Sequence, residues 1–221
     1  METKNGALDR LLEPQRKAGI AKFTAEKNKI YNDGIESVAN SGVLENALNI
    51  GDKAPPNFEL KNALNESISL YNELEKGPIV LTWYRGGWCP YCNITLHYLQ
   101  EILPEFEKFN AQLIALTPEL PDNSLNTAEK NNLKFNVLSD IGNTVGKAYG
   151  VVYQLTDDVA AIYEAGFKLS EKNGDHSNEL PLAATYVIDQ KRIIQYAFLD
   201  ADYKERAEGT DILSTLKHLK A

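Results

Sequence analysis

Residues 78–109 constrain this chain more than any other stretch. Pro78-Ile79-Val80-Leu81-Thr82-Trp83-Tyr84 is an apolar run of the length and composition of a buried strand. It leads through Arg85-Gly86-Gly87-Trp88 into Cys89-Pro90-Tyr91-Cys92, and a helical pattern then runs from Asn93 to Phe109. The chain has 221 residues and only these two cysteines. A strand that hands a Cys-x-x-Cys pair to the start of a helix puts the sulfurs beside unpaired backbone N–H groups. The positive end of the helix dipole lies there too, and both favour a thiolate over a thiol. The stretch therefore reads as a redox site.

Charge and hydropathy narrow the setting. Lys plus Arg number 23 against 31 Asp plus Glu, a net charge of −8. That sign, with no Lys/Arg-rich run, argues against nucleic acid or an anionic membrane surface as partner, because either needs a basic face. No apolar run approaches the ~20 residues of a membrane span. The first residues lack the apolar core of a signal peptide, so the expectation is a cytoplasmic protein. There, a close cysteine pair is catalytic or metal-binding more often than a structural staple. A structural zinc site wants four ligands, and His97, His176 and His218 are scattered without ligand spacing. No metal and no cofactor are expected.

Around the motif the chain divides in two. Residues 1–49 are polar and helix-prone, with a short ridge of Leu8, Leu11 and Leu12, and with Pro14 suited to a first helical turn. This arm is expected to pack on the main domain or on a second subunit, the latter giving a homodimer. Residues 50–221 open with an extended Ala54-Pro55-Pro56 segment, followed by two short strands around a polar turn at Asn62 to Glu66. Further strands are expected over Ala111 to Thr117 and Phe135 to Asp140, with helices between and after them. Pro104 is expected to bend or restart the Cys helix. A hairpin pairs Ala184 to Asp189 with Ile193 to Leu199, and an amphipathic helix covers Thr210 to Leu219. Alternating strands and helices imply parallel pairing with crossover helices, and the hairpin adds an antiparallel edge. The fold class is α/β, a thioredoxin-like central mixed sheet flanked by helices, with an N-terminal helical extension.

The residues resemble the peroxiredoxin-like branch of the AhpC/TSA group in the thioredoxin superfamily. The resemblance rests on Gly51-Asp52-Lys53-Ala54-Pro55-Pro56-Asn57-Phe58, on Tyr84-Arg85-Gly86-Gly87-Trp88-Cys89-Pro90-Tyr91-Cys92, on Leu138-Ser139-Asp140, and on Leu180-Pro181 before Thr185-Tyr186-Val187-Ile188-Asp189. It implies a thiol-dependent peroxidase that reduces hydrogen peroxide or organic hydroperoxides and is recycled by thioredoxin or a similar dithiol. Peroxiredoxins carry Pro-x-x-x-Thr-x-x-Cys, the last residue attacking the peroxide. On that frame Cys92 attacks, Cys89 replaces the Thr and Arg85 replaces the Pro. Thioredoxins carry Trp-Cys-x-x-Cys, and on that frame Cys89 attacks. The two frames nominate different sulfurs, and both stay candidates.

Either way the pair forms the one intramolecular disulfide the chain allows, Cys89–Cys92. Peroxiredoxins place an Arg two residues before the Thr at the start of the penultimate strand, and thioredoxins place a cis-Pro in that loop. Here the position is Ala183. Arg85 is then the expected source of positive charge, Trp88 shapes the site, and Thr185 donates a hydrogen bond near the sulfurs. Tyr91 is expected to be exposed for contact with the reducing partner, and His97 to be a solvated polar residue. The alternative activity is thiol–disulfide exchange on protein disulfides. A third reading is a redox-switched interaction protein whose arm binds a partner.

Overall fold

The computed structural model describes residues 6–62 and 65–220, so part of the expected turn near Glu66 and the first five residues lie outside the description. Two helices, α1 (Ala7–Lys22) and α2 (Ala25–Ala39), and a helical turn, α3 (Val43–Asn46), precede a hairpin of β1 (Glu59–Lys61) and β2 (Ser67–Ser69). Next come α4 (Leu70–Lys76), β3 (Ile79–Trp83), α5 (Pro90–Glu107), β4 (Gln112–Thr117), α6 (Pro121–Lys130) and β5 (Asn136–Ser139). The chain continues through α7 (Thr144–Ala148), β6 (Val152–Gln154), α8 (Asp157–Phe167), α9 (Leu169–Asn173) and β7 (Glu179–Pro181). It closes with β8 (Thr185–Ile188), β9 (Ile194–Phe198) and α10 (Gly209–Lys220).

Five strands form the central sheet in the order β5-β4-β3-β8-β9. β3, β4 and β5 run parallel, while β8 is antiparallel to both β3 and β9. This is the mixed thioredoxin-type sheet expected from the alternation of elements. Every residue of β3 is buried, because helices cover both faces and leave no solvent side to alternate with. Side-chain alternation instead splits the apolar residues between two cores. Ile79, Leu81 and Trp83 join one with Tyr149, Tyr186 and Val159. Val80 joins the other with Leu96, Leu99, Phe106 and Ile212. β6 and β7 form a separate small antiparallel pair, and α9 follows α8 directly; neither feature was expected from the periodicity, since three-residue strands are too short to show one.

The arm is attached at both ends. Leu8 and Leu12 are fully buried in the core beneath α5, and Glu208 accepts the N–H groups of Leu8 and Asp9 at 3.2 and 2.7 Å. That carboxylate satisfies donors at the helix N-terminus that no side-chain cap reaches. At the other end Val38 and Val43 enter the opposite core, and Gly34 lets α2 approach α8 so closely that a Cβ would lie 2.9 Å from Val159 Cγ2. Pro14 lies inside α1, not in its first turn. Its ring is exposed, and burial of Leu8 and Leu12 holds the helix despite the lost backbone bond. α5 likewise runs through Pro104, pinned by buried Leu103 and Phe106 on either side of it.

Truncating a core-seated arm residue should therefore destabilise the whole domain. Leu12→Ala should lower the unfolding free energy in urea by about 2–5 kcal/mol. Ile20→Ala, at a site 68 % exposed, should change it by no more than about 0.5 kcal/mol.

Candidate active site

The motif leaves the sheet at the carboxyl end of β3, where open α/β sheets place their sites. Tyr84 still bonds to β4, its N–H 2.9 Å from the Leu116 carbonyl. The two glycines that follow are sterically required. Gly86 has a φ of 150°, and a Cβ there would lie 2.2 Å from Trp88 Nε1; one on Gly87 would lie 2.1 Å from Thr127 Oγ1. The buried Glu119 carboxylate accepts the Gly87 N–H at 2.8 Å and fixes the loop. Burial pushes its pKa above the ordinary carboxylate value, against the pull of that hydrogen bond. Asn93 closes the turn from the helix side, donating to the Gly87 and Cys89 carbonyls at 2.8 and 3.2 Å.

Cys89 is the N-cap of α5 and Pro90 its first helical residue, which places Cys92 at the third position of the helix. Proline is favoured there because its missing N–H would have had no partner. Both sulfurs are free thiols at 1 % exposure. Arg206, on the loop between β9 and α10, points its Nη2 at Cys92 Sγ from 3.4 Å. The Tyr203 and Glu205 carbonyls hold its other Nη nitrogen. Arg85 is completely buried and forms no ion pair with a carboxylate among the described residues. Instead its guanidinium lies 4.1 Å from the Tyr203 ring centre and 5.1 Å from those of Trp88 and Tyr163, and it donates to the Tyr163 hydroxyl. Cation–π attraction in a desolvated cage favours a cation there, but it supplies no counter-charge.

The sulfurs supply it. Burial works against a charge on Cys92. The hydrogen bond from Cys89, the cations Arg206 and Arg85, and the Arg85 backbone N–H together outweigh burial and bring Cys92 to about 5. Cys89 moves upward, chiefly through burial, then through its hydrogen bond to Cys92 and the charge beside it. The surroundings thus favour one shared proton on the pair, with the cations drawing the negative charge towards Cys92 and burial favouring the S–H on Cys89.

Of the residues expected here, Cys89, Cys92, Arg85 and Trp88 come together. The Thr185 hydroxyl lies 2.8 Å from that of Thr82, because the β3–β8 register sets the two opposite each other. Tyr91 is buried, not exposed, because α1 lies across the first turn of α5. Its hydroxyl donates to the Gln15 carbonyl at 3.4 Å and faces Gly19. His97 is solvated, as expected, beside Glu101. Ala183 is buried just before β8, and the cation missing at that position arrives from Arg206 on another element. No sequence pattern marks Arg206, since it is a single Arg in a polar loop. The described residues contain no His/Cys/Asp/Glu cluster able to hold a metal, and no helix long and apolar enough to cross a membrane.

A cavity of about 760 Å³ opens beside the pair. Residues 15–32 of the arm wall one side, with Arg85, Trp88, Cys89, Pro90 and Tyr91 on another. It reaches the pair at Cys89, with Cys92 behind.

The family model for the AhpC/TSA family matches residues 50–197. A chloroplastic peroxiredoxin Q of Triticum aestivum is 27 % identical over 171 residues, which are 77 % of this chain and 68 % of that protein. The thiol-disulfide oxidoreductase ResA of Bacillus thuringiensis is 29 % identical over 136 residues, 61 % of this chain and 76 % of that protein. Among solved structures, the peroxidoxin BcpB of Mycobacterium tuberculosis superposes with a TM-score of 0.62 at 21 % identity, covering 79 % of this chain and 99 % of that one.

The charge on the pair has a measurable signature. Thiolate ultraviolet absorbance of the reduced protein should show one thiolate at neutral pH, lost as the pH falls through about 5. Because an unfolded thiol ionises near ~8.5, the stability this charge contributes is full above that pH and is lost progressively as the pH falls towards the folded value. Arg206→Ala should move the step upward by at least about one pH unit, equivalent to ~1.4 kcal/mol of lost stabilisation.

Proposed function

Because the chain belongs to the AhpC/TSA family, we propose that it is a thiol-dependent peroxidase whose working group is the Cys89–Cys92 pair. One observation carries the assignment of roles: Arg206 Nη2 lies 3.4 Å from Cys92 Sγ, and with Arg85 it favours the negative charge on Cys92, while burial favours the protonated form of Cys89. In the peroxiredoxin frame Cys92 stands at the attacking position and Cys89 where a Thr hydroxyl would donate. The Cys89 thiol makes the equivalent hydrogen bond, so one residue first supports the thiolate and later resolves the oxidised product.

The cycle follows. The Cys92 thiolate attacks the terminal peroxide oxygen; an S–O bond forms, the O–O bond breaks, and the leaving oxygen departs with the electron pair and takes up a proton. Cys92 becomes a sulfenic acid. The Cys89 sulfur, one helical turn away, displaces its hydroxyl, which leaves as water, and the Cys89–Cys92 disulfide forms. A thioredoxin-type dithiol restores the pair by thiol–disulfide exchange, becoming a disulfide itself. Arg206 and Arg85 are stabilisers of the thiolate and of the charge developing on the leaving oxygen.

A second reading has one observation in its favour. Cys89, not Cys92, borders the cavity, as suits the thioredoxin frame, in which the first cysteine attacks a disulfide. Similarity to ResA fits that frame as well.

Single variants separate the two. After a brief exposure to hydrogen peroxide, Cys89→Ser should be labelled by a sulfenic-acid reagent and Cys92→Ser should not. Labelling of Cys92→Ser alone would reassign the attack to Cys89. Neither variant should turn over with a thioredoxin-type reductant, and insulin reduction by the wild type should be slow compared with its peroxide consumption.

A further inference from the structure

From Glu13 to Ser37 the arm contains no buried residue, although Leu8 and Leu12 before this stretch and Val38 after it are core. Helices in globular proteins are held mainly by burying an apolar stripe. The outer part of α1 and the bend at Phe23 and Thr24 bury no such stripe, and before Val38 α2 packs only half-buried residues such as Ile30 and Tyr31 on the core, yet this elbow lies across the cysteine end of the domain. Leu8 and Leu12 before it, Val38 after it and the half-buried Ile30 and Tyr31 hold it there. What the elbow does is wall the cavity beside Cys89.

That cavity is far larger than a peroxide group requires. At about 760 Å³ it lies within the ~300–1,000 Å³ of small-molecule sites, whereas a group the size of a water claims roughly 30 Å³. Its walls suit an apolar occupant. Phe23 and Tyr31 line it from the elbow, with ring centres 5.4 Å apart. Trp88 and Phe167 line it from the body, stacked at 4.8 Å. Tyr163 links the pairs, 6.2 Å from Tyr31 and 5.0 Å from Trp88. Cys89 lies at one end, with its partner Cys92 outside the lining, and aromatic faces border the space in which the rest of a substrate would sit.

We propose that the α1–α2 elbow is part of the substrate site, with Phe23 and Tyr31 as specificity-determining residues that select hydroperoxides bearing an apolar body of aryl size. The inference rests on the peroxidase reading above and adds the substrate class. It agrees with the direction of the reaction. The oxygen transferred to sulfur is the terminal one, so the organic group of ROOH points away from the sulfurs and into the cavity. When the O–O bond breaks, ROH is released within the aromatic walls and must leave past the elbow. Hydrogen peroxide has no body to place there and gains nothing from the elbow.

The test uses the full-length chain with cumene hydroperoxide and hydrogen peroxide as paired substrates. In Phe23→Ala/Tyr31→Ala the ratio of kcat/KM for cumene hydroperoxide over hydrogen peroxide should fall about tenfold, in the range that loss of apolar pocket contacts gives. Phe23→Leu should lie between that variant and the wild type. Cumyl alcohol, the product, should inhibit the wild type competitively and the double variant more weakly. An unchanged ratio in a double variant with the wild-type unfolding midpoint would overturn the inference. Should that variant not fold, absence of competitive inhibition of the wild type by cumyl alcohol would overturn it as well. Failure of the wild type to consume either peroxide is a different result, removing the peroxidase reading itself.

Discussion

A guanidinium sealed from water without a carboxylate beside it is costly, and Arg85 is one. Three aromatic rings and a tyrosine hydroxyl hold it, but its electrostatic complement is the shared negative charge on the cysteine pair, reinforced from the other side by Arg206. The dependence runs both ways. Two buried thiols would ordinarily stay protonated, and here two cations and a helix N-terminus converge to favour the loss of one proton. The Gly-Gly turn fixed by Glu119 and the cage of Trp88, Tyr163 and Tyr203 serve to hold that charge pair in register.

The same balance shapes the redox behaviour. Forming the Cys89–Cys92 disulfide removes the negative charge and leaves Arg85 and Arg206 without it. The cations that favour the thiolate therefore work against the disulfide, which makes the oxidised pair easier to reduce. A dithiol arranged this way is suited to turnover with a reducing partner and poorly suited to a permanent structural link.

The sheet and the arm set the surroundings. β3 carries the motif to the carboxyl edge of a sheet covered on both faces, and its antiparallel neighbour β8 leads into the β9–α10 loop that delivers Arg206. α1 enters one core and the end of α2 enters the other, so the segment between them must pass over the cysteine end. Its anchors position the elbow, and its own sequence, with no fully buried residue, remains available to line the cavity.

Much of this is legible in the sequence, for a physical reason. Strand β3, the Cys helix and the hairpin carry apolar runs or periodicities that report local backbone geometry. Cys89, Cys92, Arg85 and Trp88 lie within eight consecutive residues, so the local turn alone brings them together. Three-residue strands such as β6 and β7 carry no usable period. Tyr91 could not be read correctly, because its burial depends on a helix packed from about 76 positions away. The hydroxyl of Thr185 pairs with Thr82, a partner that the β3–β8 register chose. Arg206 stands 114 residues from the sulfur it faces. The sequence by itself determined that a dithiol would sit at a helix N-terminus at the end of a buried strand. Only the tertiary structure decided which cations and ring faces surround the two sulfurs, because sheet order and helix packing bring those together and no local pattern encodes them.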